Sequence, residues 1–266
     1  AISVSTLLLS ACGSGAVVEE PIQPTTPAPV QLTDFELDVI ELQKTLAEAS
    51  PNGSIEDYIL PESDDYFNIP QDPMNPITES KVKLGKMLYH ETGMTVSLDS
   101  DMHEDTFSCA SCHNAQSGFK SGIKQGVGDG GVGFASNRFA MNPDIADVQP
   151  LSSPTTMNVA YQEAMLWNGQ FGNEIGGIVN IGIDPERHFT EGTPKEANLR
   201  NFSGLETQAI AGMGVHRLNA GQEGSILTTN EKYQMMFEAA YGTSQPDDML
   251  EAAALAIAAY ERTILA

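Results

Sequence analysis

The feature that most constrains this chain is five residues long: Cys109-Ala110-Ser111-Cys112-His113. The 266 residues contain only three cysteines, and two of them stand here, three positions apart, with a histidine next. Two thiols one helical turn apart can each form a thioether to a vinyl group of the same haem. The adjacent histidine then supplies an axial nitrogen to the iron. Other uses of the pair are weaker. A structural zinc site needs four ligands, and there is no second cysteine pair; His90 and His103 could complete a Cys2His2 set, but without a zinc-ribbon context. A thioredoxin-like dithiol wants a preceding strand in a βαβ setting. A disulfide across this spacing is strained and closes a trivial loop. The residues favour covalent haem c, held by Cys109 and Cys112 and ligated by His113.

The motif does not say what the iron does. Two strong axial ligands make an electron carrier; an open side admits peroxide or oxygen. The candidate distal histidines are His90, His103, His188 and His216, and residues 114–187 contain none. His216 reads first as a surface or hydrogen-bonded side chain near a helix end. Met141, Met157 and Met213 are candidate sulfur ligands, although methionine more often fills cores. Ser203-Gly204-Leu205-Glu206 reads as a capping box, with Glu206 satisfying a helix N-terminus.

Charge narrows the partners. Thirty-six acidic residues against thirteen basic give a net charge of −23, which excludes the basic footprint that nucleic-acid binding needs. It suits solubility and attraction to a basic partner protein. At the N-terminus, Ile2–Ala11 is an apolar run too short to span a bilayer and reads as part of a secretory signal, residues 1–11. Leu9-Ser10-Ala11-Cys12 resembles the bacterial lipobox, whose cysteine becomes lipidated. Residues 12–33, rich in Gly, Pro and Thr, then read as a flexible tether. The expectation is a periplasmic protein held to the membrane by a lipid on Cys12 alone, with Gly13 and Ser14 suiting the outer membrane by analogy.

The remainder, 34–266, reads as one haem domain, mostly α, with long loops and little strand. Helical periodicity marks Asp34–Ala49, stopped by Ser-Pro-Asn-Gly. Residues 51–76 read as extended chain over the surface. A Thr78 cap opens a helix over about 79–90. The glycine-rich segment after the motif lacks the Lys-Ser/Thr ending of a phosphate loop. Residues 153–170 read as a loop and a short helix, and 173–202 as an irregular insertion. Two further helices are expected, in "GLETQAIAGMG" and in "PDDMLEAAALAIAAYERTILA".

Four stretches together resemble one family. "KVKLGKMLYHETGMTVSLDSDMHEDTFSCASCHNAQSGF", "SPTTMNVAY" (Ser153–Tyr161), "LWNGQ" (Leu166–Gln170) and "LETQAIAG" (Leu205–Gly212) occur in the order seen in the bacterial di-haem cytochrome c peroxidases. They are similar to that family's N-terminal haem domain, over residues from about 60 to 266. The resemblance implies a cytochrome c-like domain that reduces hydrogen peroxide with electrons from a small cytochrome c-type donor. His113 would be the proximal iron ligand, Glu206 the distal acid and base, and Trp167, the single tryptophan, a cofactor contact on an electron path or else a core side chain. Asn168 and Gln170 stand where the family carries Asp and Arg, so a charged contact there is in question. The family's calcium uses an Asn just before Ser/Ala-Pro; here that residue is Ser152, which gives no support for calcium from this half. The family also carries a second C-x-x-C-H that this sequence lacks, so the reading is of a fragment missing its second haem domain and its true start. A relative that oxidises protein side chains shares the domain and gives an alternative substrate.

Overall fold

The computed structural model describes residues 31–96, 105–172, 190–222 and 224–266. The chain divides between Tyr58 and Ile59 into two units. In the first, helix α1 (Asp34–Ala49) opens on a capping box. The Glu36 amide donates to Thr33 Oγ1 at 3.3 Å, and Glu36 Oε2 accepts from the Thr33 amide at 2.7 Å. Ser50 ends the helix, and a 3-10 turn, Ile55–Tyr58, follows. The expected bounds of α1 are those observed. The proposed signal, most of the tether and Cys12 lie outside the described residues.

The second unit is built on helix α7 (Met249–Arg262). It buries every residue but Leu250 and Glu251, as a helix apolar on all sides must. Asp248 caps it, its carboxylate accepting from the Glu251 amide at 2.9 Å. The run of alanines in α7 lets α2 (Glu79–Tyr89) approach backbone to backbone. A Cβ on Gly85 would stand 1.8 Å from the Ala256 carbonyl oxygen. Leu84, Leu88 and Tyr89 of α2 are fully buried in the resulting core. Helix α4 (Gly204–Val215) packs against α7 as well, and a one-turn helix, α3 (Cys109–Cys112), carries the cysteines.

Two further helices were not anticipated from periodicity: α5 (Ile226–Thr229) and α6 (Glu231–Tyr241). Asn230 caps α6, and Tyr233 and Phe237, one turn apart, are buried. Among the described residues the only paired strands are β1 (Gly131–Val132) and β2 (Phe139–Ala140), antiparallel and two residues each. The fold is thus mostly α, with long connections.

Part of the expected surface chain is internal instead. Ile69, Asp72 and Asn75 are buried. The polar pair is tolerated there because each satisfies other groups. Asp72 Oδ2 accepts from the Ser203 amide at 2.5 Å, and Asn75 donates to the Leu255 carbonyl at 3.0 Å. No described helix is long and apolar enough to cross a membrane.

Candidate functional site

A cavity of about 540 Å³ opens beside α3, and Cys109, Cys112 and His113 all line it. Ser108 caps α3 and His113 ends it, its amide donating to the Cys109 carbonyl at 2.9 Å. One turn of helix therefore sets both sulfurs and the imidazole on a common wall. The orientation of His113 is fixed from outside the motif. Its Nδ1 lies 2.9 Å from the Pro154 carbonyl and 3.4 Å from that of Phe119. Carbonyls only accept, so Nδ1 carries the proton and Nε2 keeps its lone pair. A ligating histidine is oriented in this way. Tyr89, from α2, donates its hydroxyl to the His113 carbonyl at 2.8 Å.

Burial sets the protonation of this wall. It lowers the His113 pKa, so the ring is neutral near pH 7. It pushes the Cys109 thiol up to about 12 and raises Cys112 as well. Both cysteines are free of disulfides. Among the described residues no group of three or more His, Cys, Asp or Glu side chains could hold a bare metal ion.

The glycine-rich segment is a cradle for this wall. Arg138, buried, donates to the carbonyls of Val127 (2.6 Å), Gly128 (2.8 Å), Thr106 (2.9 Å) and Gly133 (3.0 Å). The loop is wound around one guanidinium, so there is little room for side chains. A Cβ on Gly131 would meet Arg138 Nη2 at 2.6 Å, and one on Gly126 would meet Cys112 Sγ at 2.7 Å. The rest of the cavity is largely apolar, with Phe107, Leu166, Phe171, Met213 and Ile257 in its walls. Two thiols, an oriented imidazole and apolar walls fit a flat, mostly apolar, thioether-linked macrocycle such as haem c.

The structure separates the other expected site residues. Trp167 lines the cavity but is 83 % exposed, so it is not a core side chain. Asn168 donates to Gln170 Oε1 at 3.0 Å; a neutral hydrogen bond stands where a charged pair was in question. His216 lines the cavity from the end of α4, and burial lowers its pKa. Met213 lines it too, whereas His90, Met141 and Met157 do not. His103 and His188 lie outside the described residues.

Glu206 is not in the cavity. It is fully buried in the layer between α4 and α7. There Oε1 accepts from Arg262 Nε at 2.8 Å and Oε2 from Arg262 Nη2 at 2.6 Å. The distal acid–base role expected for it does not fit this placement. Nor does the capping box, because Ser203 makes no side-chain cap bond. The physical reason is the buried ion pair. Met213, seven residues on, shares the Glu206 side of α4 and still lines the cavity, so it is the bidentate pairing with Arg262 that holds the Glu206 carboxylate in the layer between α4 and α7. Gln208 and Glu261 are among the polar cavity residues that the sequence reading missed. The Gln208 spacing to Gly212 and Val215 was the available signal; for Glu261 there was none.

The model of the di-haem cytochrome c peroxidase family matches residues 79–266, more than two thirds of the chain. Methylamine utilization protein MauG of Methylorubrum extorquens is 30% identical over 103 residues, 39% of this chain and 23% of that protein. The chain thus matches about a quarter of that relative's length. The matched family residues include the whole cavity wall of α3 and the helices α2, α4 and α7 that enclose it, and the chain belongs to the di-haem cytochrome c peroxidase family.

Proposed function

We propose that residues 59–266 form a haem domain that reduces hydrogen peroxide to water, taking two electrons from a cytochrome c-type donor and two protons from solvent. The observation that carries this reading is His113. Its Nδ1 is tied to the Pro154 carbonyl, which leaves Nε2 with its lone pair, and the residue lines the cavity that Cys109 and Cys112 also line. Haem c, when bound, supplies a redox-active iron at which peroxide can be reduced. Cys109 and Cys112 would hold the group covalently and His113 would ligate its iron. His216, neutral and able to accept a proton, and Gln208, able to donate a hydrogen bond, line the same cavity. Trp167 joins the cavity to the molecular surface, which suits a macromolecular donor that cannot enter. That exposure also supports a second reading, in which the electrons come from a side chain of a partner protein.

Mixing the ferric, haem-loaded protein with hydrogen peroxide tests the proposal by absorbance. A rapid spectral change, and peroxide-dependent oxidation of reduced cytochrome c, are expected. A low-spin spectrum indifferent to peroxide would instead assign an electron carrier. Export and lipid attachment at Cys12 belong to the same proposal, and fatty-acid labelling lost in Cys12→Ala is the expected result.

A further inference from the structure

Glu261 stands at the last turn of α7, 8 % exposed, and lines the same cavity as Cys109 and His113. Among the described residues its carboxyl oxygens have no hydrogen bond and no ion pair. The neighbouring guanidinium is not available to it. Arg262 Nε and Nη2 go to Glu206, and Nη1 goes to the Pro70 carbonyl at 2.9 Å. Residues 261 and 262 are about 100° apart on the helix, so one faces the cavity and the other the buried ion pair.

A buried polar group without a partner costs free energy. Here the group opens onto a cavity that takes a redox cofactor, and the one cation acting on it, Arg262, is paired with Glu206. The ionisable groups acting on it are Tyr89 from α2, Cys109 from α3, Glu206 from α4, and Tyr260 and Arg262 from α7 itself. The one cation among them is neutralised by Glu206, whose own charge further disfavours ionisation of Glu261. Burial and that charge push the Glu261 carboxyl up to about 8. In so poorly screened a place, a charge added to the cavity acts strongly on the carboxyl.

We propose that Glu261 is the redox-linked proton site of the cavity. When the haem gains one electron from its donor, the Glu261 carboxylate binds one proton from solvent and an O–H bond forms. When the electron leaves, the proton returns to solvent. This rests on the cofactor assignment above and adds to it a coupling of electron uptake to proton uptake.

The test is a redox titration of the haem-loaded protein followed by absorbance between pH 6 and pH 10. In the wild type the reduction potential is expected to fall with rising pH where the carboxyl titrates. Full coupling is a tenfold change in the reduction equilibrium per pH unit, about 59 mV for one electron. Glu261→Gln is expected to lose that slope and Glu261→Asp to keep it. The same slope in Glu261→Gln would overturn the proposal. Infrared difference spectra of reduced minus oxidised wild type give a second readout that needs no variant. A protonated-carboxyl band gained on reduction is expected, and its absence overturns the role of Glu261. Haem content is measured first. A chain that never takes haem overturns both readings, whereas a loaded chain with an unchanged slope overturns only this one.

Discussion

Arg262 closes on both carboxylate oxygens of Glu206, at 2.8 and 2.6 Å, in a layer that neither side chain leaves. Asn75 and Lys81 complete the surroundings: Lys81 Nζ donates to Asn75 Oδ1 at 2.9 Å, and Asn75 Nδ2 reaches Glu206 Oε1 at 3.4 Å. Removing one partner of a buried pair leaves the other charge uncompensated, at a cost of about 3–5 kcal/mol. Glu206→Gln is therefore expected to lower stability by that order in urea denaturation. Glu206→Leu combined with Arg262→Met is expected to recover much of the loss. A Glu206→Gln protein of wild-type stability would contradict the structural role.

The approach of α2 to α7 gives a second prediction. In Gly85→Ala the new methyl would overlap the Ala256 carbonyl, a backbone atom that cannot rotate away. The helices must separate, and overpacking of this kind costs about 3 kcal/mol or more. The midpoint of chemical denaturation should fall accordingly. A shift no larger than that of a surface substitution would show that the two helices are not in backbone contact.

Gly126 is expected to control the second sulfur. A Cβ there would stand 2.7 Å from Cys112 Sγ and 3.1 Å from Ser153 Oγ. Gly126→Ala should displace the Cys112 side chain and leave that thioether unformed in a large fraction of chains, while the Cys109 bond still forms. Intact-mass and peptide mapping of the haem-loaded protein would show it. Full attachment at both sulfurs would contradict the tight fit.

Two cavity groups shape stability against pH in opposite directions. His216 titrates below its ordinary 6.5 in the fold because burial disfavours its charge. As pH falls the unfolded chain binds this proton first, so stability is lost below about 6.5. Glu261 is raised from 4.5 to about 8. The unfolded chain loses that proton first as pH rises, so stability declines between about 4.5 and about 8. Denaturation profiles should lose the acid limb in His216→Gln and the decline toward pH 8 in Glu261→Gln. Profiles unchanged by these substitutions would contradict the burial of the two groups.

Much of the local structure was readable in the residues. The apolar spacing placed α1, and the Thr78 cap with its apolar stripe placed α2, nearly to the residue, since caps and periodicity act within about four positions. The C-x-x-C-H run placed both sulfurs and the imidazole together for the same reason: one helical turn is enough. Helix α6 was overlooked although Asn230 and the Tyr233–Phe237 spacing marked it. Its apolar stripe is short and interrupted by Gln234 and Glu238.

The amino-acid sequence by itself determined that this chain is mostly helical, which family it belongs to, and which two sulfurs and which imidazole share one cavity wall. Only the tertiary structure decided which way the carboxylates face. Glu206 reads as a distal acid because its motif surrounds the site, yet its partner Arg262 is 56 residues away. Helix α7 is apolar on nearly every side, so no amphipathic pattern tells that Glu261 faces the cavity and Arg262 the ion pair. Those assignments depend on which sides of α4 and α7 meet, and long-range packing rather than local spacing sets that.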